Sequence, residues 1–348
     1  MKDITVSPNI TIRQAMKTLD KTAEKCLLVV GANKKLLGTL TDGDLRRGIL
    51  DGMKFSENIL ECYYKNPTTL TYGNFIQEEA NQLFCTKKLD LIPIVDEERR
   101  VVDYITWSSI NGGQKTEKKL ADIPVVIMAG GKGTRMEPFT KILPKPLIPI
   151  HDKPIIEHII ERFTKRGCSD FYLTVNYKSK ILKAYFEELQ PKYDISFVDE
   201  REPLGTAGSL QFLRGKFNQP FFVTNCDIII DADYVSLYEF HCEGGYDITL
   251  VASAKEYIIP YGTCELNSDG HLSHINEKPK YDFLINTGLY VLNPEILSFI
   301  PKEKFIHITH LIEDLKNNGK KVGVYPIDDD DWIDVGQWAE YKESVELL

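Results

Sequence analysis

No apolar run in this 348-residue chain is long enough to span a bilayer, and its first residues, Met1-Lys2-Asp3-Ile4-Thr5, lack the apolar core of a secretory signal. The expected setting is the cytoplasm, with no membrane partner. Seven cysteines (26, 62, 85, 168, 226, 242 and 264) are scattered without any Cys-x-x-Cys spacing. That speaks against a disulfide framework or a cysteine zinc site and leaves buried free thiols. Positive charge is scarce as well: 42 Lys and Arg face 51 Asp and Glu, a net charge of −9. A nucleic-acid partner wants a basic face, so none is expected, and any basic site must be local.

Two familiar phosphate loops are also missing. In the stretch IMAGGKGTRMEPFTKILPKPL, Ile127 to Leu147, Gly133 is followed by Thr134-Arg135 and not by the Lys-[Ser/Thr] of a Walker loop. The dinucleotide fingerprint GxGxxG fails at Met136. What is present is a short apolar run, Ile123 to Met128, of the kind that forms a buried parallel strand. After it, Gly130, Gly131 and Gly133 let backbone N–H groups approach an anion, and Arg135, Lys141 and Lys145 add positive charge. The loop suits a polyphosphate.

The length, with a hydrophobic content of 43%, allows two domains. The polar stretch 111–122, which opens on a Gly-Gly pair, is the expected linker, dividing 1–115 from 123–348. Before it one pattern occurs twice. A helix-like stretch (Ile12 to Ala23), an apolar strand (Cys26 to Val30), a second strand (Leu37 to Leu40) and a charged helix from Asp42 are echoed between Gln77 and Ile110. In the second copy Asn81 to Lys87 ends the helix, and Leu91 to Asp96 and Val101 to Ile105 are the strands. Gly38-Thr39-Leu40-Thr41-Asp42-Gly43-Asp44 resembles the G-x-x-T-x-x-D signature of CBS domains. The resemblance implies a tandem pair that binds an adenine nucleotide, with Thr41 toward phosphate and Asp44 toward ribose. The second copy keeps Thr106 but has Asp103 and Ser109 where the signature has glycine and aspartate, so one competent site is expected. A pair used only for packing or dimerisation stays open, and a homo-oligomer through such pairs is expected.

From 123 onward strands and helices alternate: Val125 to Met128, a helix from Pro154 to Arg166, Asp170 to Val175, a helix from Lys178 to Leu189, Ile195 to Val198 and Phe221 to Asn225. Such alternation means a mostly parallel α/β sheet that binds ligands beyond the carboxyl ends of its strands. Asp227 emerges at the same edge as the glycine loop, and Trp332-Ile333-Asp334-Val335-Gly336 offers a second carboxylate. Two carboxylates and substrate phosphates are a common way to hold Mg²⁺.

Gly130-Gly131-Lys132-Gly133-Thr134-Arg135, Leu143-Pro144-Lys145-Pro146 and Asn225-Cys226-Asp227 resemble sugar-1-phosphate nucleotidyltransferases. So do Glu202-Pro203-Leu204-Gly205-Thr206-Ala207-Gly208, Glu277-Lys278-Pro279, Asn286-Thr287-Gly288 and Trp332-Ile333-Asp334-Val335-Gly336. The similarity covers essentially all of 123–348, with Cys226 standing where many relatives have glycine. It implies a Rossmann-like nucleotidyltransferase fold of the GT-A-like kind, mixed and mostly parallel, and in-line attack of a sugar 1-phosphate oxygen on the α-phosphorus of a nucleoside triphosphate. On that resemblance Arg135 holds the leaving pyrophosphate, Lys145 the α-phosphate and Lys278 the sugar's phosphate. Met128, Ala129, Gly130 and Gly131 underlie the base, Gly133 and Thr134 belong to the phosphate loop, and Gly205 and Thr206 lie along the nucleoside. Glu277, Asn286 and Gly262 meet the sugar, and Asp227 and Asp334 hold Mg²⁺.

The resemblance points to guanylyltransferases, including CBS-bearing ones that make GDP-activated hexosamines, with glucosamine 1-phosphate or mannose 1-phosphate as acceptor. A uridylyl-, cytidylyl- or thymidylyltransferase of the same fold stays open. So does an adenine-nucleotide sensor whose second half only binds, although such a sensor has no need of Arg135, Lys145, Asp227 and Asp334 together. Asp328 to Asp331 reads as a solvated acidic run, His307 and His310 as structural, and Lys132 and Lys141 as surface charge. Asn176-Tyr177, at another strand end, suits a turn as well as a base contact.

Overall fold

The computed structural model describes residues 3–22, 24–87, 89–106, 109, 120–336 and 341. Positions 111–119 of the expected linker lie outside these residues, as do Trp107 and Ser108 of the second signature. The chain forms two units: the described residues up to 109 group with 254–283, and the rest form the other.

In the first unit one small motif is built twice. The first copy comprises β1 (Thr5–Val6), α1 (Ile12–Thr22), β2 (Cys26–Val30), β3 (Leu36–Thr41) and α2 (Asp42–Leu50). The second has β4 (Leu70–Thr71), α3 (Gln77–Lys87), β5 (Leu91–Val95) and β6 (Val101–Thr106). In each, a short strand pairs parallel with an apolar one, which pairs antiparallel with the next. Both antiparallel pairs shift register at the same point, between Val29 and Val30 and between Ile94 and Val95. Gly38 therefore faces Val29 as Asp103 faces Ile94, so the two signatures occupy one structural register. Ile12, Ala15, Met16 and Leu19 recur at helical spacing along α1 and are buried with Leu27, Leu28 and Val29 of β2.

The second unit begins with β7 (Val125–Met128), α4 (Ile155–Thr164), β8 (Asp170–Val175), α5 (Ser179–Leu189), β9 (Asp194–Asp199), β10 (Phe221–Asn225) and β11 (Ile228–Ile230). It continues through α6 (Tyr234–Gly244) into β12 (Ile248–Ile258), whose end enters the 254–283 arm with β13 (Thr263–Leu266) and β14 (Leu272–Asn276). The chain returns along β15 (Lys280–Leu292) and finishes with α7 (Ile308–Asn317), β16 (Val322–Asp328) and β17 (Trp332–Asp334). The sheet order is β9-β8-β7-β10-β15-β12-β16. Its first four strands are parallel and β15 is antiparallel to β10. This is the mixed, mostly parallel sheet expected from the alternation.

Alternate residues of β7 feed two cores. Val125 and Ile127 pack with Ile155, Ile159 and Phe163 of α4 and with Leu182 and Phe186 of α5. Val126 and Met128 join Leu311 and Leu315 of α7. A strand covered on both faces has no polar position, which is why 125–128 is continuously apolar. Leu120, inside the polar stretch 111–122, is 5% exposed and packs in the α4 cluster. No helix among the described residues is long and apolar enough to cross a membrane.

One buried histidine ties α6 to the sheet. Asn293 donates from Nδ2 to the Tyr246 carbonyl at 2.9 Å, which leaves its Oδ1 3.1 Å from His241 Nε2. Nε2 therefore carries the proton, and Nδ1 accepts from the Thr249 hydroxyl at 2.9 Å. Burial pushes the imidazole pKa down, with the Asn293 hydrogen bond acting the other way. Because the folded value lies below the unfolded one, this contribution is whole above pH of about 6.5 and is lost as pH falls through the folded pKa. Denaturant unfolding between about pH 7 and pH 5 should show a steeper loss of stability in the wild type than in His241→Gln. Equal slopes would assign the neutral histidine no part in it.

Candidate active site

The register of the central strands sets the site. Asn225 lies opposite Met128 in the parallel β7/β10 pair, so the glycine loop and Asn225-Cys226-Asp227 leave the sheet at one edge. Beyond β7 the loop is pinned from within. Ala129 donates to the Thr174 carbonyl at 2.9 Å, Met136 is fully buried, and the Thr140 hydroxyl donates to the Gly133 carbonyl at 2.9 Å. Gly131, Thr134 and Arg135 are left exposed on this anchored frame, while a helical turn at Lys145–Leu147 buries Lys145 to 7% exposure.

Asp227 and Asp334 meet through a two-stranded ribbon. β11 pairs antiparallel with β17, placing Ile228 opposite Asp334, and Val335 donates to the Asp227 carbonyl at 2.9 Å. Lys145 Nζ donates to Asp227 Oδ2 as an ion pair. Gly336 marks the point of convergence. A Cβ there would lie 2.8 Å from Asp227 Oδ2, 2.8 Å from Asp334 Oδ1 and 3.1 Å from Lys145 Nζ. Cys226 faces away into the apolar cluster, and burial, with Asp227 beside it, pushes its thiol up to about 12. It is a small apolar residue here and leaves the carboxylates their space.

Among the described residues no group of three or more His, Cys, Asp or Glu side chains is arranged to hold a metal alone. Two convergent carboxylates nevertheless fit Mg²⁺, which takes its remaining oxygens from phosphates and water. The acidic run contributes no lining carboxylate. Asp328 accepts from the Asp330 N–H at 3.1 Å and Asp329 from the Ser253 hydroxyl at 3.1 Å.

A cavity of about 310 Å³ is lined by Arg135, Thr206, Asp227, Asn286 and Asp334, all sequence-derived candidates. Thr206 Oγ1 accepts from the Ile308 N–H at 2.9 Å, tying its turn to the start of α7. Gly205 sits against the Ile306 carbonyl, 2.6 Å from where a Cβ would stand. Asn286 is oriented by Tyr290, whose hydroxyl accepts from Nδ2 at 2.9 Å, and by the Gly288 N–H at 3.1 Å. His307, read from sequence as structural, also lines the cavity, with its ring edge-on to Phe305 and His310.

Sequence reasoning also missed Glu200. Its carboxylate lies beside the glycine loop, with Oε1 2.6 Å from the place of a Gly130 Cβ. Oε2 accepts from the Leu204 N–H at 3.2 Å, and Asn176 Nδ2 donates to the Glu200 carbonyl at 2.8 Å. Burial raises the pKa of this carboxyl, and the Leu204 hydrogen bond acts against that. A carboxylate two residues before the Glu202-Pro203 match, at the end of β9, was the available signal. Three further candidates, Gly262, Glu277 and Lys278, belong to the 254–283 arm of the first unit. There Glu277 Oε2 is 2.9 Å from the place of a Gly262 Cβ, and Lys278 has φ +46°.

With this geometry in place, comparison with known proteins is decisive for the family. The profile described as nucleotidyl transferase matches residues 124–348. The chain belongs to the nucleotidyl transferase family. The CBS domain profile matches residues 1–51. Among curated relatives, mannose-1-phosphate guanyltransferase 2 of Candida glabrata is 36% identical over 64% of this chain and 63% of its own length. Mannose-1-phosphate guanyltransferase of Hypocrea jecorina is 40% identical over 50% of each. The chain thus spans from half to under two thirds of the length of these relatives. Among solved structures, that of HddC from Yersinia pseudotuberculosis matches with a TM-score of 0.52 at 26% identity, over 65% of this chain and 99% of that one.

In this nucleotidyl transferase the CBS signature residues form a reciprocal helix cap. Thr41 Oγ1 accepts from the Asp44 N–H at 3.2 Å, and Asp44 Oδ2 accepts from the Thr41 N–H at 2.8 Å and its hydroxyl at 2.6 Å. Arg47 pairs with Asp44 Oδ1 at 2.5 Å. In the second copy Thr106 and Ser109 exchange the equivalent bonds at 3.2 and 3.0 Å, without a carboxylate.

The crowding at 336 gives a direct test of the carboxylate cluster. In Gly336→Ala the three atoms nearest the new Cβ are all side-chain ends, so the fold should persist while the geometry is lost. Turnover should fall by about 100-fold with an unchanged circular dichroism spectrum. Full activity in Gly336→Ala would show that the three groups need not converge.

Proposed function

We propose that this protein transfers GMP from GTP to a sugar 1-phosphate, giving a GDP-sugar and pyrophosphate. The observation that carries the reading is the convergence of Lys145, Asp227 and Asp334 beside a glycine loop, on a cavity that Arg135 also lines. The similarity to mannose-1-phosphate guanyltransferases supports the guanine and the hexose 1-phosphate. Mannose 1-phosphate or glucosamine 1-phosphate is the proposed acceptor, and the proposed setting is the cytoplasm. Residues 123–348 form the proposed transferase domain.

In the proposed step an oxygen of the sugar's phosphate attacks the α-phosphorus while the bond to the bridging oxygen breaks and its electron pair leaves with pyrophosphate. Arg135 holds the departing pyrophosphate, with Gly133 and Thr134 supplying backbone donors. Lys145 moves its charge from Asp227 to the α-phosphate, where negative charge builds. Asp227 and Asp334 would hold Mg²⁺, which when bound neutralises phosphate charge. Lys278 takes the phosphate of the sugar, Glu277, Asn286 and the Gly262 backbone take its hydroxyls, and Gly205 and Thr206 lie along the nucleoside. Positioning and charge neutralisation carry the catalysis, since no covalent enzyme intermediate is required.

Met128 to Gly131 underlie the base, and Glu200 beside Gly130 supplies a reason for guanine. Guanine presents N1–H and N2–H side by side, and a carboxylate accepts both. Uracil and thymine offer one N–H between two carbonyl oxygens, which a carboxylate repels. Pyrophosphate release should be measured for the four ribonucleoside triphosphates and dTTP against a panel of sugar 1-phosphates. GTP should be preferred, and Glu200→Gln should lower its kcat/KM by about 100-fold with less effect on the others. A preference for UTP, CTP or dTTP would overturn the base assignment, and no release with any pair would overturn the activity.

Residues 1–115 form the proposed CBS pair, taking one adenine nucleotide at Thr41 and Asp44 and joining copies of the chain into a homo-oligomer. Asp44→Ser separates ligand binding from helix capping, because Ser109 makes the equivalent reciprocal bonds with Thr106. Calorimetric titration of the full chain with AMP, ADP and ATP should show one site, weakened in Asp44→Ser without loss of thermal stability. No heat with any of the three, or two equal sites, would refute the assignment.

A further inference from the structure

Residues 254–283 lie inside the stretch matched to nucleotidyl transferases, yet they pack with the CBS-like half. Ala254 is 1% exposed and shares an apolar cluster with Ile12, Met16 and Leu28 of the first repeat. A single side chain supplies a polar link at both feet of this arm. Arg13, in the first turn of α1, donates from Nη1 to the Ala254 carbonyl at 2.8 Å, where the chain enters the arm. From Nη2 it donates to Asp282 Oδ1 at 3.1 Å, where the chain leaves. The guanidinium also lies 5.4 Å from the Phe55 ring centroid, and the Arg13 and Asp282 side chains are only 21% and 16% exposed.

The arm transmits that restraint. Above its feet Ile259 donates to the Pro279 carbonyl at 3.1 Å, and Lys280 pairs with Glu256 at 3.3 Å. The next residues are Glu277, close to Gly262, and Lys278 at φ +46°. A lysine keeps a left-handed backbone only where its surroundings impose it.

We infer that Arg13 is a positioning residue for sugar 1-phosphate use: by clamping both feet of the 254–283 arm to α1 of the first repeat, it fixes the backbone that presents Glu277 and Lys278. This rests on the proposed roles of those two residues. A planar guanidinium reaches two acceptors 28 residues apart in sequence through a rigid fork, whereas an ammonium at 13 is a point charge without that fork. The CBS-like half thereby gains a hold on the residues proposed to take the sugar 1-phosphate.

The test uses the full chain with Arg13→Ala and Arg13→Lys. Hydrogen exchange should rise across 255–283 in Arg13→Ala and stay unchanged across 125–175, a readout independent of turnover. In kinetics, KM for the sugar 1-phosphate should rise by about tenfold while KM for GTP stays within about twofold, and Arg13→Lys should recover part of the loss. Unchanged exchange in the arm, or equal changes in both KM values, would overturn the inference. Should Arg13→Ala fail to fold, Arg13→Lys carries the same comparison with the charge kept. Lys278→Ala separates the two readings. If it leaves sugar 1-phosphate use intact, the assignment of the arm has failed, while the exchange result still decides whether Arg13 holds it.

Discussion

Lys145 is 7% exposed, and an ammonium so far out of water cannot remain without a counter-charge. Asp227 supplies it, and Asp334 stands at the same point, so two carboxylates and one cation share the space that glycine leaves at 336. On the proposed reaction this balance is also the working part. A triphosphate that draws Lys145 toward its α-phosphate would leave Asp227 short of a cation, and Asp227 and Asp334 would then hold Mg²⁺, whose charge would replace that of the lysine.

That set exists only because of backbone register. The β7/β10 pairing brings the glycine loop and Asp227 to one edge, and the β11/β17 ribbon adds Asp334 from a distant part of the sequence. Both are ladders of main-chain hydrogen bonds with buried side chains behind them, so a one-residue slip would turn an apolar residue into the site and a carboxylate into the core. The rigidity needed to hold three charges together is inherited from the sheet.

Much of this was legible in the sequence, for a physical reason. A strand buried on both faces is a bare apolar run, and glycines after it mark the place where backbone must approach an anion, so the loop, its strand and the parallel sheet could be read locally. The repeat in the first half was equally visible, down to the shared register of Gly38 and Asp103. Glu200 and His307 were not. Neither belongs to a local pattern, and each acquires its place only when β9 and α7 are folded against the loop and cavity. The grouping of 254–283 with the first repeat was hidden for a stronger reason. It depends on Arg13, Ala254 and Asp282 meeting across more than two hundred residues, and nothing in the periodicity of any one segment encodes that contact.

The cap at the start of α2 is a closed set of bonds. Thr41 and Asp44, proposed to meet a nucleotide, already satisfy one another, and Arg47 takes the remaining carboxylate oxygen. A ligand that claims the threonine hydroxyl or the aspartate must break bonds that hold the first turn of the helix, so occupancy and local helix geometry are coupled through the same atoms. In the second copy Ser109 makes the equivalent bonds with Thr106 and has no carboxylate to give up. Helix α1 packs against the strands of the first copy and carries Arg13. On the proposed binding, a displacement of α1 together with that copy would act on the feet of the arm through Arg13.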